Sequence, residues 1–485
     1  MALECDLIIR NAEIIDGTGA ARFAGDVAVS GERILAVGAL PEAHATREVD
    51  AGGLVLAPGF IDAHTHDDRA ILGDGRLALP KISQGVTTVV TGNCGISVAP
   101  VRAKGKALPP LNLLGEDYES CFGTFREYAD LLAREKPPIN AMALIGHMSL
   151  RVEAMAGDVD RPATAEETAH MRRRLEEALD EGASGMSTGL WYAPNIKAPT
   201  EEVVEVAAPL HARNALYVTH MRDEANDVLR SIDETMRIGR AVDSPVVISH
   251  HKCSMPENHG RSRETLPALE AAARLQSVAF DVYPYAASST ILQPNRLHPA
   301  VKVQITWSTP HPEARGRMLD EIAAEWGVDR VTAAERLLPA GAISFMMDEA
   351  DVRRILAHPM AMIGSDGLPH DAMPHPRLWS TFARVLGHYA RDEKLFTLED
   401  AVHKMTGRTA AVFGMTDRGE IRPGAFADLV LFDADKVREV GTFADPAHPA
   451  EGIVETWVNG ASAYTPAGGI ASDHHGRLLV RGRAD

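Results

Sequence analysis

Eight short apolar runs, most of them separated by helical segments, restrict what this chain can fold into more than any other feature of its sequence. The runs are Leu54–Ile61, Val86–Val90, Asn140–Ile145, Ala183–Thr188, Ala215–Thr219, Pro245–Ser249, Val278–Val282 and Ala361–Gly364. Helical patterns occupy Glu166–Glu181, Glu201–Arg213, Asp227–Val242, Glu264–Gln276 and Ala350–His358. Such alternation argues for a parallel sheet with its helices outside. Eight units predict an α/β fold, a (β/α)8 TIM barrel.

The residues at the ends of these runs narrow the reading. The first run leads into Pro58-Gly-Phe-Ile-Asp-Ala-His-Thr-His66. Alternate residues of a strand point to one side, so His64 and His66 can converge on one point. Two neutral imidazoles there make a natural metal clamp; the plain alternative is a strand that ends in two solvated histidines. The second run leads to Cys94, the fifth to His220, the sixth to His250 and the eighth to Asp366. In a (β/α)8 barrel the C-terminal strand ends form one ring, where active sites sit. Metal-binding residue types gathered at those ends are hard to explain as core filler.

The flanks show another pattern. Residues 3–56 alternate short β-rich runs with glycine turns, and β punctuation returns from about residue 416. The two ends, 1–56 and 416–485, are expected to build one small β-sandwich or barrel domain beside the barrel at 57–415. The overlong connection 286–344, with a helix expected near Ala314–Glu325, reads as an inserted lid segment, or else as surface decoration.

Composition excludes some functions. A net charge of −18 argues against a nucleic-acid or anionic-membrane partner. No run of about 18 apolar residues appears, and the first residues lack a basic, then apolar, signal pattern. Cys5, Cys94, Cys121 and Cys253 make no disulfide framework in so long a chain. A cytoplasmic enzyme is expected, of uncertain oligomeric state.

With these residues in hand, the chain resembles the amidohydrolase superfamily and, within it, the D-aminoacylase (N-acyl-D-amino-acid deacylase) family. The broad marks are Pro58-Gly-Phe-Ile-Asp-Ala-His-Thr-His66 and Gly424-Ala-Phe-Ala-Asp-Leu-Val430. The narrower ones are Thr91-Gly-Asn-Cys-Gly95, Ser187-Thr-Gly-Leu-Trp-Tyr-Ala-Pro194, Ser249-His-His-Lys252, Gly364-Ser-Asp-Gly367 and His375-Pro-Arg-Leu-Trp379. The resemblance implies one tight zinc site at Cys94, His220 and His250, a weaker second metal position at His64 and His66, and Asp366 as the proton-transfer group. The Met186–Tyr192 region holds no lysine, so the lysine bridge of other relatives is not expected.

The chemistry of the residues agrees. One thiolate and two imidazoles leave zinc an open position; the plain alternative for Cys94 is an inert buried thiol. Asp366 suits general base and acid work, or a helix cap. His66 and Tyr192 are candidates to hold a developing oxyanion, although Tyr192 can equally just pack. Arg377, which matches the family's carboxylate arginine, is the candidate for a substrate α-carboxylate, with Tyr283 and Ser289 adding hydrogen bonds. Lys252 lies two residues beyond His250 and can share its face; either a protein carboxylate or an acidic substrate side chain must satisfy it.

The expected activity is zinc-dependent hydrolysis of N-acyl-D-amino acids, small molecules with an uncharged side chain such as methionine or leucine. An N-acyl-D-glutamate or aspartate deacylase stands close behind. Other readings are a dipeptidase for D-residues, a cyclic-amide hydrolase, and a catalytically silent scaffold.

Overall fold

Runs that are apolar at nearly every position bury both faces of a strand, and here they follow one another as neighbouring parallel strands. The computed structural model describes residues 3–73 and 75–483. In it β1 (Phe60–Asp62), β2 (Val86–Thr91), β3 (Asn140–Ala143, continued by Ile145–Gly146) and β4 (Gly185–Gly189) are buried throughout. So are β5 (Leu216–His220), β6 (Val246–Ile248), β7 (Val278–Val282, its first residue half-buried) and β8 (Ala361–Ile363). Each pairs in parallel with the next. From β8 the circuit returns to β1 without a regular ladder. That seam has an isolated bridge, Thr65 to Gly367, and amide bonds from Ala63 to the Ile363 carbonyl (3.1 Å) and from Asp366 to the His64 carbonyl (2.9 Å).

Side chains alternate across the circuit. Leu216, Val218 and Val247 join Ile61, Val90, Met142 and Met362 in an inner cluster. Tyr217, Val246 and Ile248 join the outer core against the helices. Helix ends obey local chemistry. Thr164 and Glu167 form a capping box ahead of Ala165–Asp180. Val228–Val242 stops at Asp243 in the left-handed conformation. The helix expected over Glu201–Arg213 runs only over Thr200–Ala207 and is followed by one 3-10 turn, His211–Arg213. Pro209 lacks the amide needed to continue it.

The first apolar run is two strands rather than one. Val55–Pro58 pairs antiparallel with Leu429–Phe432, whereas Phe60–Asp62 pairs with β2. The chain changes sheet at Gly59, where a Cβ would lie 2.3 Å from the Thr87 side chain. Glu4–Ile14, Phe23–Ser30 and Arg33–Gly38 continue the same outer sheet on one side of Val55–Pro58, and Leu429–Phe432, Ile453–Val458 and Ala461–Thr465 on the other. The tail then leaves this sheet, and Leu478–Leu479 pairs in parallel with β3.

Between β7 and β8, Ser288–Ile291, Lys302–Ser308 and Ala340–Phe345 form a three-stranded antiparallel sheet. It packs with helices Leu319–Trp326 and Arg330–Leu337 around Val303, Ile305, Ile322 and Leu337. The single helix expected there is thus two, separated by Gly327 with φ +64°.

Candidate metal centre and active site

The strand ends bring the ionisable residues together beneath the surface. Cys94 Sγ lies 3.2 Å from His64 Nε2 and 3.4 Å from His250 Nε2. Asp366 Oδ1 lies 3.2 Å from His66 Nε2 and 3.5 Å from His64 Nε2. The His220 ring stands 4.4 Å from that of His250, centre to centre. Ligand atoms of His64, Cys94, His250 and Asp366 all fall within 4.8 Å of one another, as do those of His220, Glu224 and His250. His250 belongs to both groups.

Burial alone would raise the Cys94 thiol, but the imidazoles of His64 and His250 prevail and hold it well below its ordinary range. Burial likewise opposes a charge on His66, yet Asp366 and Cys94 lift it to about 9. Asp366, against its own burial, is held well below the carboxylate range by Arg377 and the histidines.

Two carboxylates orient the rings. Asp281, in β7, accepts from the His250 amide (2.8 Å) and approaches His64 Nδ1 (3.4 Å). Glu224 lies 3.0 Å from His250 Nδ1 and 3.6 Å from His220 Nε2. Carboxylates behind histidines are the usual outer support of a metal site. Neither was singled out in the sequence, although Glu224 lies four residues beyond His220 and Asp281 is the one charge within its apolar run.

The donor set suits a zinc ion. One sulfur and several imidazole nitrogens converge, and both His220 ring nitrogens are buried without a hydrogen bond among the described residues. Unsatisfied buried polar atoms are expensive, and a soft divalent cation satisfies such a set.

Beside this cluster lies a cavity lined by Trp191, Tyr192, His220, Lys252, Met255, Tyr283, Ser289, Met346 and Asp366 among others. Arg377 is fully buried. It pairs with Asp366 Oδ2 through Nη1 at 2.9 Å, donates from Nη2 to the Ser289 carbonyl (2.9 Å) and sits 4.7 Å from the centre of the Tyr283 ring. Apart from that ion pair Nη1 makes no hydrogen bond among the described residues, and Arg377 Nε, Tyr283 Oη and Ser289 Oγ also lack one there.

Tyr192 and Lys252, the remaining candidates, have definite places, as do the nearby His251 and Arg296. Tyr192 exchanges a hydrogen bond with Thr290 Oγ1 (3.0 Å) and sets its ring against His220. Lys252 Nζ meets Glu224 Oε1 at 2.8 Å, so of the two partners considered for it a protein carboxylate is present. His251 turns away to Thr265 Oγ1 (2.9 Å). Arg296 stacks on Trp191, its guanidinium 4.1 Å from the ring centre.

Comparison with known proteins gives concordant findings. Residues 47–264 and 301–464 match the amidohydrolase family. The chain is 52% identical to the D-aminoacylase of Alcaligenes xylosoxydans xylosoxydans over 98% of each chain. It is 48% identical to the N-acyl-D-aspartate deacylase of that organism, over 99% of this chain and 96% of the relative. Among solved structures it is similar to the N-acyl-D-glutamate deacylase of Bordetella bronchiseptica, complexed with zinc and a phosphonate inhibitor that mimics the tetrahedral intermediate. There the identity is 46% and the TM-score 0.93, over 98% of this chain and 100% of that one.

Proposed function

This chain belongs to the amidohydrolase family, and we propose that it hydrolyses the amide bond of N-acyl-D-amino acids to a carboxylate and a free D-amino acid. The observation that carries the substrate is the set of buried donors that make no hydrogen bond among the described residues, Arg377 Nε, Tyr283 Oη and Ser289 Oγ, beside Arg377 Nη1, whose partner is the ion pair with Asp366. Such a set stands ready for an α-carboxylate. It lies beside the Cys–His cluster, so a molecule anchored by that carboxylate presents its neighbouring amide to the metal position.

The strand circuit is read as a (β/α)8 barrel of amidohydrolase type, residues 57–415, with a small β domain from both chain ends and the 286–344 insertion as a lid over the cavity. Cys94, His220 and His250 hold one tight zinc, and His64 with His66 offers a weaker second position. When bound, zinc supplies Lewis acidity for the scissile carbonyl and lowers the pKa of a water. Asp366 Oδ1 takes a proton from the attacking water and delivers it to the leaving nitrogen. His66 and the Tyr192 hydroxyl face the oxygen on which charge develops. Arg377 orients the substrate and keeps Asp366 ionised.

Side-chain preference is set by the cavity wall. Met255, Met346 and Trp191 line it, and Lys252 is already matched by Glu224. An uncharged side chain such as methionine fits this better than an acidic one. Four free cysteines suit a reducing, cytoplasmic setting. Among the described residues no helix is long and apolar enough to cross a membrane.

The test is a hydrolysis screen of N-acetyl-D- and N-acetyl-L-methionine and of the two glutamate compounds, with zinc quantified in the same preparation. Turnover of the D-methionine compound by a zinc-containing protein is expected. Preference for the L series, or for D-glutamate, would refute the corresponding part of the reading.

A further inference from the structure

The seam between β8 and β1 lacks a regular ladder, and the catalytic groups hang from both of its sides. His64 and His66 extend from β1, and Asp366 from β8. Their mutual placement, with Asp366 Oδ1 3.2 Å from His66 Nε2, rests on the bond from the Asp366 amide to the His64 carbonyl and on a second tie through side chains.

A buried lysine provides it. Lys81 lies on the short helix Leu79–Ile82 and is fully buried, outside the substrate cavity. Its Nζ donates to Asp62 Oδ2 (2.8 Å), at the end of β1, and to Ser365 Oγ (2.5 Å), next to Asp366. Asp67 Oδ2 lies 3.5 Å away. The other oxygen of Asp62 accepts the His64 amide (3.2 Å) and the Ser365 amide (2.8 Å). Ser365 Oγ in turn accepts the Gly367 amide (3.2 Å). One ammonium and one carboxylate thus grip the backbone on both sides of the seam, close in sequence to each catalytic group.

Stability is a weak reason for this arrangement. Desolvating two charges offsets most of their attraction, and apolar packing of similar volume does as well or better. Position is the stronger reason. An ion pair whose carboxylate accepts directional bonds from backbone amides defines distances that an apolar contact leaves loose, and about 1 Å of misplacement costs roughly 10²-fold in rate.

We propose that Lys81 is a positioning residue: with Asp62 and Ser365 it fixes Asp366 against His64 and His66 across the open seam. The inference rests on the reading of Asp366 as the proton carrier.

The test compares the wild type with Lys81→Met and with the double variant Lys81→Met/Asp62→Asn, as full-length, zinc-containing proteins. Lys81→Met leaves Asp62 buried without its cation, so a lower Tm is expected. In the double variant Asp62 is no longer a stranded charge, and the carboxamide oxygen introduced by Asp62→Asn still accepts both backbone amides, so Tm should recover most of what Lys81→Met loses; buried Asp67, 3.5 Å from Lys81 Nζ in the wild type, still lacks its cation. If Lys81 positions the site, the double variant keeps zinc and KM within about threefold while kcat stays down roughly 10²-fold. Its crystal structure should show the Asp366 carboxylate displaced from His66 by about 1 Å.

Recovery of kcat together with Tm would overturn the proposal, because the lysine would then only neutralise its partner. An unchanged spacing of 3.2 Å between Asp366 and His66 would overturn it too. So would failure of both variants to fold, since the network would be a requirement of the fold. The crystallographic result does not depend on the substrate: a wild type inactive on N-acyl-D-amino acids ends the substrate reading and leaves the displacement to decide this one.

Discussion

Replacing Arg377 with methionine separates carboxylate recognition from every other role of that residue. The guanidinium is fully buried, and its Nε and Nη1 make no hydrogen bond among the described residues. Two charge-assisted bonds to a substrate carboxylate contribute about 1.5–3 kcal/mol each, so about 3–6 kcal/mol together. At about 1.36 kcal/mol per decade that is roughly 10²–10⁴-fold in kcat/KM. Arg377→Met also removes the 2.9 Å partner of Asp366, and breaking a buried pair destabilises by about 3–5 kcal/mol. That second effect harms every substrate alike. The informative quantity is therefore a ratio, kcat/KM for N-acetyl-D-methionine over that for its carboxamide, N-acetyl-D-methioninamide. The amide presents no charge to the arginine. Wild type should favour the acid by roughly 10²–10⁴, and the ratio should collapse towards about one in the variant. Steady-state kinetics on zinc-matched preparations read it directly. An Arg377→Met enzyme that still prefers the acid as strongly as wild type would refute the assignment, however slow it had become.

Cys94→Ala removes the one sulfur from the cluster, and metal analysis should show strongly reduced zinc, with activity falling in parallel; full zinc and full turnover would contradict the site. Asp366→Asn preserves volume but cannot carry a proton, so kcat should fall roughly 10²–10⁴-fold with most of the zinc retained, as checked by single-turnover rates and metal analysis. The same change weakens the partner of Arg377, so a lowered Tm is expected as well. Glu202 concerns stability. Burial raises its carboxyl, but His147, the Ala163 amide and Arg151 outweigh this and bring it to about 2. A depressed acid stabilises the fold above its unfolded value and loses that contribution as pH falls through the interval down to about 2. Urea unfolding of wild type and Glu202→Gln should therefore show a gap that is wide near neutral pH and closes in acid.

How much of the fold and site was legible in the sequence depended on what kind of signal each residue leaves. The strands of the circuit were readable because burial on both faces leaves continuous apolar runs, and Val278–Val282 coincides with its expected bounds. Leu54–Ile61 misled, because apolarity does not reveal that the chain changes sheet at Gly59. The Cys and His residues were legible as types at strand ends. The structure sets them in two groups that share His250, one with His64, Cys94 and Asp366 and one with His220 and Glu224. Charges inside apolar segments, such as Lys81 and Asp281, leave no periodic signal. They become meaningful only once the partner 200 or more residues away is known, as with Ser365 for Lys81 and His64 for Asp281.

His250 shows why alternation fails at the site itself. In β6 Val247 points to the inner cluster and Val246 and Ile248 to the outer core. Period two therefore sends residue 249 inward and residue 250 outward. His250 instead faces Cys94 and Glu224. Its φ of +36° supplies the reversal: one residue in the left-handed region turns the chain, and the ring swings to the centre. Cys94 and Asp366 adopt the same region, at +54° and +51°. Each such residue costs about 1–3 kcal/mol unless its surroundings hold it. They do, since the His250 amide is bound by Asp281 and the Asp366 amide by the His64 carbonyl. Gly364 leaves the room this requires, as a Cβ there would lie 2.6 Å from His64 Cβ and 2.8 Å from Asp281 Oδ1. The cluster is thus assembled where the backbone departs from strand geometry, and Asp281, which holds the strained His250 amide, also orients the His64 ring.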